Sequence, residues 1–263
     1  MATIGVFSAR GDGATTVAVG LAAVLAATSK TLLIDLNFDN PEIAPLLDVD
    51  PEFGVFDLAH NAQLAPVSDA DLERRLGRRD GIAVLPGIGR EEDVEHISDH
   101  FLAGLLQTAT RRFDHVVIDL GRLRQGPRAS VATGVLLWVA TPTPLGMDAL
   151  ERGYWRVEEH GEEWLRRTRL VINRNTGGSL SGVERYAERE YELATAGIIP
   201  DAPDYWRRVE FKHSPSALNI PGTDDPRYRK YHGEQALPVR QALEALAEQV
   251  TSAPVELTVS TRT

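Results

Sequence analysis

The stretch richest in chemical possibility is Ser8-Ala9-Arg10-Gly11-Asp12-Gly13-Ala14-Thr15-Thr16. It follows a β-rich run, Thr3–Ser8, and leads into an apolar helical segment, Ala14–Ala27. A strand, a glycine loop and a helix N-terminus together make a cradle for phosphate. The glycines let backbone N–H groups point inward, and the helix dipole favours an anion. Thr15 stands where a hydroxyl would ligate Mg2+. The usual form of such a loop carries Gly-Lys-Ser/Thr, and its lysine position here is Ala14. Arg10 is a substitute cation from a different direction, although guanidinium and ammonium are not interchangeable. Asp12 inside the cradle repels phosphate mildly. Asp35 and Asp119 lie at the far ends of two more β-rich runs, where parallel sheets meet their ligands.

These residues need a scaffold, and the hydrophobic pattern supplies one. Strands are expected at Thr3–Ser8, Thr31–Leu36, Ile82–Leu85, His115–Asp119, Val135–Ala140, Arg169–Ile172 and Ala196–Ile199. Runs such as Val135-Leu136-Leu137-Trp138-Val139 lack polar alternation, as strands buried on both faces do. Helices are expected between them at Ala14–Ala27, Asp69–Leu76, Ser98–Arg111, Gly146–Arg166, Ser181–Glu192 and Glu234–Val250. The alternation predicts an α/β, doubly wound, mostly parallel sheet in a single domain over 1–250. Residues 251–263 read as a flexible tail, and His213 to His232 as a long surface loop.

Composition narrows the function classes. The chain has 263 residues, a formal net charge of -10 and no cysteine. Disulfides, thiolate zinc sites and a cysteine nucleophile are excluded. The acidic balance gives no strong nucleic-acid signal, since a DNA-coating protein needs a positive footprint. No stretch is long and apolar enough to span a membrane, and no basic leader precedes the first strand. The expected compartment is therefore the cytoplasm, with membrane association only through partners. His96 and His100 have i, i+4 spacing but straddle a helix start at Ser98, so no metal site is expected there. Trp155 is expected in the core, and Tyr205-Trp206 beside Arg207 and Arg208 on a partner surface.

The first loop resembles the deviant phosphate loop of the MinD/ParA family, whose pattern is Lys-Gly-Gly-x-Gly-Lys-Thr-Thr. It falls on Ala9 to Thr16. Gly11, Gly13, Thr15 and Thr16 match, whereas Ala9 and Ala14 replace both lysines and Arg10 replaces a glycine. Leu32-Leu33-Ile34-Asp35-Leu36-Asn37 resembles the family's second motif, with its second acid replaced by Asn37. Phe113 to Leu120 resembles the Walker B strand and keeps Asp119. Leu170-Val171-Ile172-Asn173-Arg174 and Gly197-Ile198-Ile199-Pro200 resemble the strand ends that line adenine. Gly54-Val55-Phe56-Asp57-Leu58 and Gly81 to Pro86 are most similar to the TadZ/CpaE-type pilus-assembly branch.

The resemblance implies ATP and Mg2+ as cofactors. Arg10, Gly11, Asp12, Gly13, Ala14, Thr15, Thr16, Asn173, Arg174 and Pro200 would surround the nucleotide. Thr15, Asp35 and Asp119 would serve the metal. It also implies a face-to-face homodimer and protein partners. The substitutions at Ala9, Ala14 and Asn37 point to a degenerate ATPase acting as a localisation or assembly scaffold. An active switch, with Asp39 orienting water, and a DNA-partition protein are the alternatives. Only three of the 28 Lys and Arg residues are lysine (Lys30, Lys212 and Lys230). A general preference for arginine would have left Arg at positions 9 and 14, so the loss there is particular to the site.

Overall fold

Along each inner strand, successive side chains leave the sheet on opposite faces, and both faces are apolar. Leu33, Val84 and Val117 enter one core cluster, whereas Leu32, Ile34, Ala83, Leu85, Val116 and Ile118 enter a second on the other face. The computed structural model describes residues 1–51, 54–62, 66–87, 97–122, 134–158, 162–176, 181–212 and 236–252.

The elements run β1 (Ala2–Ser8), α1 (Ala14–Ala26), β2 (Thr31–Asp35), α2 (Ile43–Leu47), α3 (Val55–Ala62), α4 (Asp69–Arg74), β3 (Gly77–Arg79) and β4 (Ile82–Leu85). They continue with α5 (Asp99–Arg112), β5 (His115–Arg122), β6 (Val135–Ala140), α6 (Pro144–Glu158), α7 (Glu162–Arg167) and β7 (Thr168–Asn175). The last are α8 (Ser181–Tyr191), β8 (Thr195–Pro200), α9 (Pro203–Lys212) and α10 (Ala236–Ser252). The eight strands form one sheet in the order β3-β4-β2-β5-β1-β6-β7-β8. Every neighbouring pair is parallel except β3 with β4, an antiparallel edge. The expected doubly wound α/β sheet is therefore present.

One face is covered by α1, with α2, α9 and α10 around it. The other carries α3, α4 and α5 over one half and α6, α7 and α8 over the other. The helix α1 is buried along nearly its whole length, because α10 packs on its outer side. Gly20 makes that contact close: a Cβ there would stand 2.8 Å from Leu243 Cδ1 and 3.2 Å from Trp206.

Several expectations change. Tyr205 does not form a partner surface; it is buried in the core of α9 together with Val209, one turn on. Trp155 is not a core aromatic but is 59% exposed. The buried residues of α6 include Gly146, Ala149, Leu150, Gly153 and Val157, and a residue two beyond Gly153 falls on the opposite side. The expected helix Gly146–Arg166 is two, α6 and α7. The strand β3 and the short helices α2 and α3 had no distinct periodic signature. Gly77-Arg78-Arg79 has no apolar run, and backbone pairing to β4 alone makes it a strand. The expected tail opens with the last turn of α10, Thr251 and Ser252; the rest of 251–263, the 213–232 loop and His96 lie outside the described residues.

Packing of α10 on α1 gives a direct test. Leu243→Ala should lower unfolding stability by about 2–5 kcal/mol, the usual cost of truncating a buried leucine. The same change at the partly exposed Leu237 should cost under about half of that. Urea melts with equal costs at both positions would refute the packing.

Candidate functional site

The loop between β1 and α1 is held by its own backbone. Gly11 N–H donates to Ser8 Oγ at 3.1 Å, and both Gly11 and Gly13 adopt left-handed backbone, with φ of 100° and 93°. Gly13 has a second reason to lack a side chain, because a Cβ there would meet Asn173 Nδ2 at 2.6 Å. The helix α1 starts at Gly13 with no side-chain cap and no acid in its first turn. By contrast, Ser68 and Ser98 cap α4 and α5. The first N–H groups of α1 are thus left to an anion or to water.

Other strand ends anchor this loop. Asn173, two residues before the end of β7, donates through Nδ2 to the Asp12 carbonyl at 2.8 Å, and Thr141 just after β6 donates to Asp12 Oδ1 at 2.9 Å. The Asp12 side chain is therefore buried against Thr141. Burial raises its pKa; the Thr141 hydrogen bond and the charges of Arg10 and Arg174 pull the other way. Arg174 follows Asn173 in left-handed backbone with φ 58°. Its neighbour Asn175 is paired with Pro200 of β8, which places Pro200 at the same end of the sheet.

The acids meet on the α1 face. Asp35 and Asp119 are register partners on β2 and β5, and both are fully buried. Alternation places them on the same side as Leu33 and Val117, the side that α1 covers. Asp35 accepts from Asn37 N–H at 3.0 Å and Ile43 N–H at 3.1 Å. Burial and the neighbouring Asp119 raise its pKa well above the usual carboxylate range. Burial likewise pushes Asp119 up to about 6, against a hydrogen bond from Thr15 and one from Gly121 N–H. Asp119 Oδ2 is a buried oxygen without a partner.

This donor set fits a hard cation. A hydroxyl and carboxylate oxygens suit Mg2+, which is bound through one or two carboxylates while phosphates and water complete its shell. Consistently, no group of three or more His, Asp or Glu among the described residues could hold a metal alone.

The positions that differ from the usual pattern are built into the fold. Ala14 is buried in the core at the start of α1. Ala9 packs towards α6, where a Cβ on Gly153 would stand 3.1 Å from its own. Asn37 is buried, with its Oδ1 accepting from Asn40 N–H at 3.3 Å. Asp39 lies in an exposed turn, since β2 stops at Asp35 and no strand alternation carries it back to the acids. Gly54-Val55-Phe56-Asp57-Leu58 docks on the end of β4, with Val55 N–H donating to the Pro86 carbonyl at 2.9 Å.

Sequence reasoning missed Arg122. It ends β5 and lies over Gly11: a Cβ on Gly11 would stand 3.1 Å from both Nε and Nη2 of its guanidinium. The only signal was its place three residues after Asp119.

Comparison with known proteins agrees with this architecture. No family model matches the chain. The Succinoglycan biosynthesis transport protein ExoP of Rhizobium meliloti (strain 1021) is 30% identical over 151 residues, which is 53% of this chain and 19% of that protein. The chain thus matches about a fifth of that relative's length. The crystal structure of a ParA family ATPase from Chlorobium tepidum TLS superposes with a TM-score of 0.73 at 15% identity, covering 94% of this chain and 98% of that one. The septum site-determining protein MinD of Pyrococcus horikoshii OT3, solved with Mg-ADP, gives 0.66 at 18% identity over 95% of both chains. The fold is that of the MinD/ParA P-loop NTPases.

Raised carboxyl pKa values mean that the folded chain resists ionising these acids. That penalty is absent below the usual carboxylate range, grows as pH rises towards about 6, and is full above it. With a chelator present, Asp119→Asn should therefore stabilise the protein near neutral pH, by on the order of 2 kcal/mol. The gain should fade as pH drops to about 4. A gain independent of pH, or a loss at neutral pH, would contradict the assignment.

Proposed function

We propose that this chain, built on the MinD/ParA fold, binds a nucleoside triphosphate with Mg2+ weakly and holds it without efficient turnover. In this reading it is a localisation or assembly regulator of the TadZ/CpaE kind that docks protein partners, rather than a working motor or a DNA-partition ATPase. The supporting observation is the divided state of the site. The receiving parts are built: an uncapped helix start, two left-handed glycines, and Thr15 beside Asp119 and Asp35. The parts that would drive phosphoryl transfer are replaced by Ala9, Ala14 and Asn37.

Binding and turnover depend on different parts. The backbone cradle and helix dipole attract phosphate regardless of side chains. Loss of one charge-assisted contact costs about 1.5–3 kcal/mol, or roughly ten- to a hundredfold in affinity. Thr15, Asp119 and Asp35 would hold Mg2+, which supplies positive charge to the phosphates when bound. Transfer needs more positive charge where negative charge develops, and a positioned water. Asn37 is neutral and its oxygen is already engaged by Asn40. It has no carboxylate with which to take a proton from water.

The partner role is supported by the same substitutions. With Ala9 packed towards α6, position 9 carries no cation to reach a second copy. A homodimer or partner complex would rest on other contacts, and a bound nucleotide would be held rather than used to fuel a cycle. The net charge of -10 runs against a DNA-coating role.

Thermal melts with millimolar ATP and Mg2+ should show stabilisation, about 1–3 kcal/mol if the ligand exceeds its Kd tenfold to a hundredfold. Thr15→Ala should remove the Mg2+-dependent part. Phosphate release by the purified protein should not exceed that of Thr15→Ala. No ATP-dependent shift would refute the binding half of the proposal. Robust turnover abolished by Thr15→Ala would refute the holding half.

A further inference from the structure

We propose that Arg122 is the phosphate-contacting cation of this site, delivered from β5 of the same chain in place of the lysines missing at Ala9 and Ala14. The inference deepens the nucleotide reading and rests on it. Its basis is where a backbone irregularity puts one side chain.

Strand β5 pairs with β1 in regular register from Ala2 with His115 to Val6 with Asp119. The register then slips: Phe7 pairs with Gly121 and Ser8 with Arg122, leaving Leu120 as the extra residue of a bulge. Without the slip, Arg122 would share a face with Leu120 and Ile118, over the second core cluster. With it, Arg122 stands beside Ser8, whose hydroxyl closes the glycine loop. Bulges re-aim side chains in this way, and often beside functional sites. Gly121 makes the turn possible. It has φ 62°, and a Cβ there would overlap Asn37 Oδ1 at 2.1 Å.

The guanidinium then reaches Gly11, the outer glycine of the loop. Its Nε, Nη2 and Cζ lie 3.1–3.4 Å from where a Gly11 Cβ would be, so the group rests against the open Cα of that residue. The Arg122 side chain takes part in no hydrogen bond or ion pair among the described residues. The two other arginines of the loop region, Arg10 and Arg174, act on the Asp12 carboxylate. What sets Arg122 apart is its place: its guanidinium lies directly against the outer glycine of the loop. Its planar fork suits phosphate oxygens in paired hydrogen bonds. A second, independent feature marks the same loop as a ligand site: the buried, unpartnered Asp119 Oδ2 beside Thr15 at the start of α1.

The test measures binding of ATP with Mg2+, and separately of inorganic tripolyphosphate, by calorimetry. Arg122→Ala and Arg122→Gln should each weaken both ligands roughly ten- to a hundredfold, the worth of one charge-assisted contact. Arg122→Lys should recover part of the loss. Arg10→Ala and Arg174→Ala should cost less. Melting temperatures without ligand should change little, because the Arg122 side chain is exposed and has no hydrogen bond or ion pair to lose; the Gln variant keeps the stem if the Ala variant is disturbed. Wild-type affinity in Arg122→Gln overturns the proposal and leaves the nucleotide reading intact. Loss of ATP binding with tripolyphosphate affinity retained also overturns it, because the contact would then not be to phosphate. If the wild-type protein binds neither ligand at millimolar concentration, the nucleotide reading falls and this proposal falls with it.

Discussion

Two carboxylates buried side by side govern this site. Asp35 and Asp119 are register partners on adjacent parallel strands, under a helix that leaves them almost no solvent. Two ionised groups this close repel, and burial takes away the water that would screen them. The chain offsets the cost with backbone N–H donors from Asn37, Ile43 and Gly121 and with the Thr15 hydroxyl. It leaves one oxygen unsatisfied. On the proposed reading, Mg2+ bound with a nucleotide would supply the positive charge that this site lacks.

That demand explains why the loop beside it is tied so firmly. Ser8, Thr141 and Asn173 hold Gly11 and Asp12 of an otherwise glycine-rich turn by three hydrogen bonds, and each comes from near the end of a different strand. Asp12, an acid in an anion cradle, becomes a structural anchor once its side chain is turned into Thr141. Flexibility that glycine would bring to the loop is therefore removed by its neighbours, while the helix N–H groups stay available. On the proposed reading, the pattern separates receiving phosphate from acting on it. The first needs backbone geometry, which is kept. The second needs cations and a water-orienting acid, and their positions have become alanine, alanine and asparagine.

Much of this was legible in the residue pattern because the underlying physics is local. Apolar runs such as Val135–Ala140 announced buried strands, and all seven expected strands are present with ends shifted by only a few residues. Glycines at 11 and 13 announced left-handed backbone, since only they adopt it without strain. Placement of aromatics was less legible. Trp155 and Tyr205 exchanged their expected environments because each depends on which side of a helix faces the sheet. For α6 that follows from the stripe Ala149, Leu150, Gly153 and Val157. For α9 it follows from Tyr205 with Val209, in a helix too short and charged to announce its period.

The amino-acid order alone determined the doubly wound sheet, the phosphate-type loop, the two acids and the absence of both lysines. Each is written in residue types over short windows. The tertiary structure alone decided which charges reach the loop. Asp39, near Asp35 in sequence, is carried off in an exposed turn because β2 ends first. Arg122, more than a hundred residues from Gly11, is brought onto it by one extra residue in β5. Side chains alternate with a period of two along a strand, so a single-residue slip moves a side chain to the other face. That slip depends on pairing with β1, and no local reading of β5 contains it.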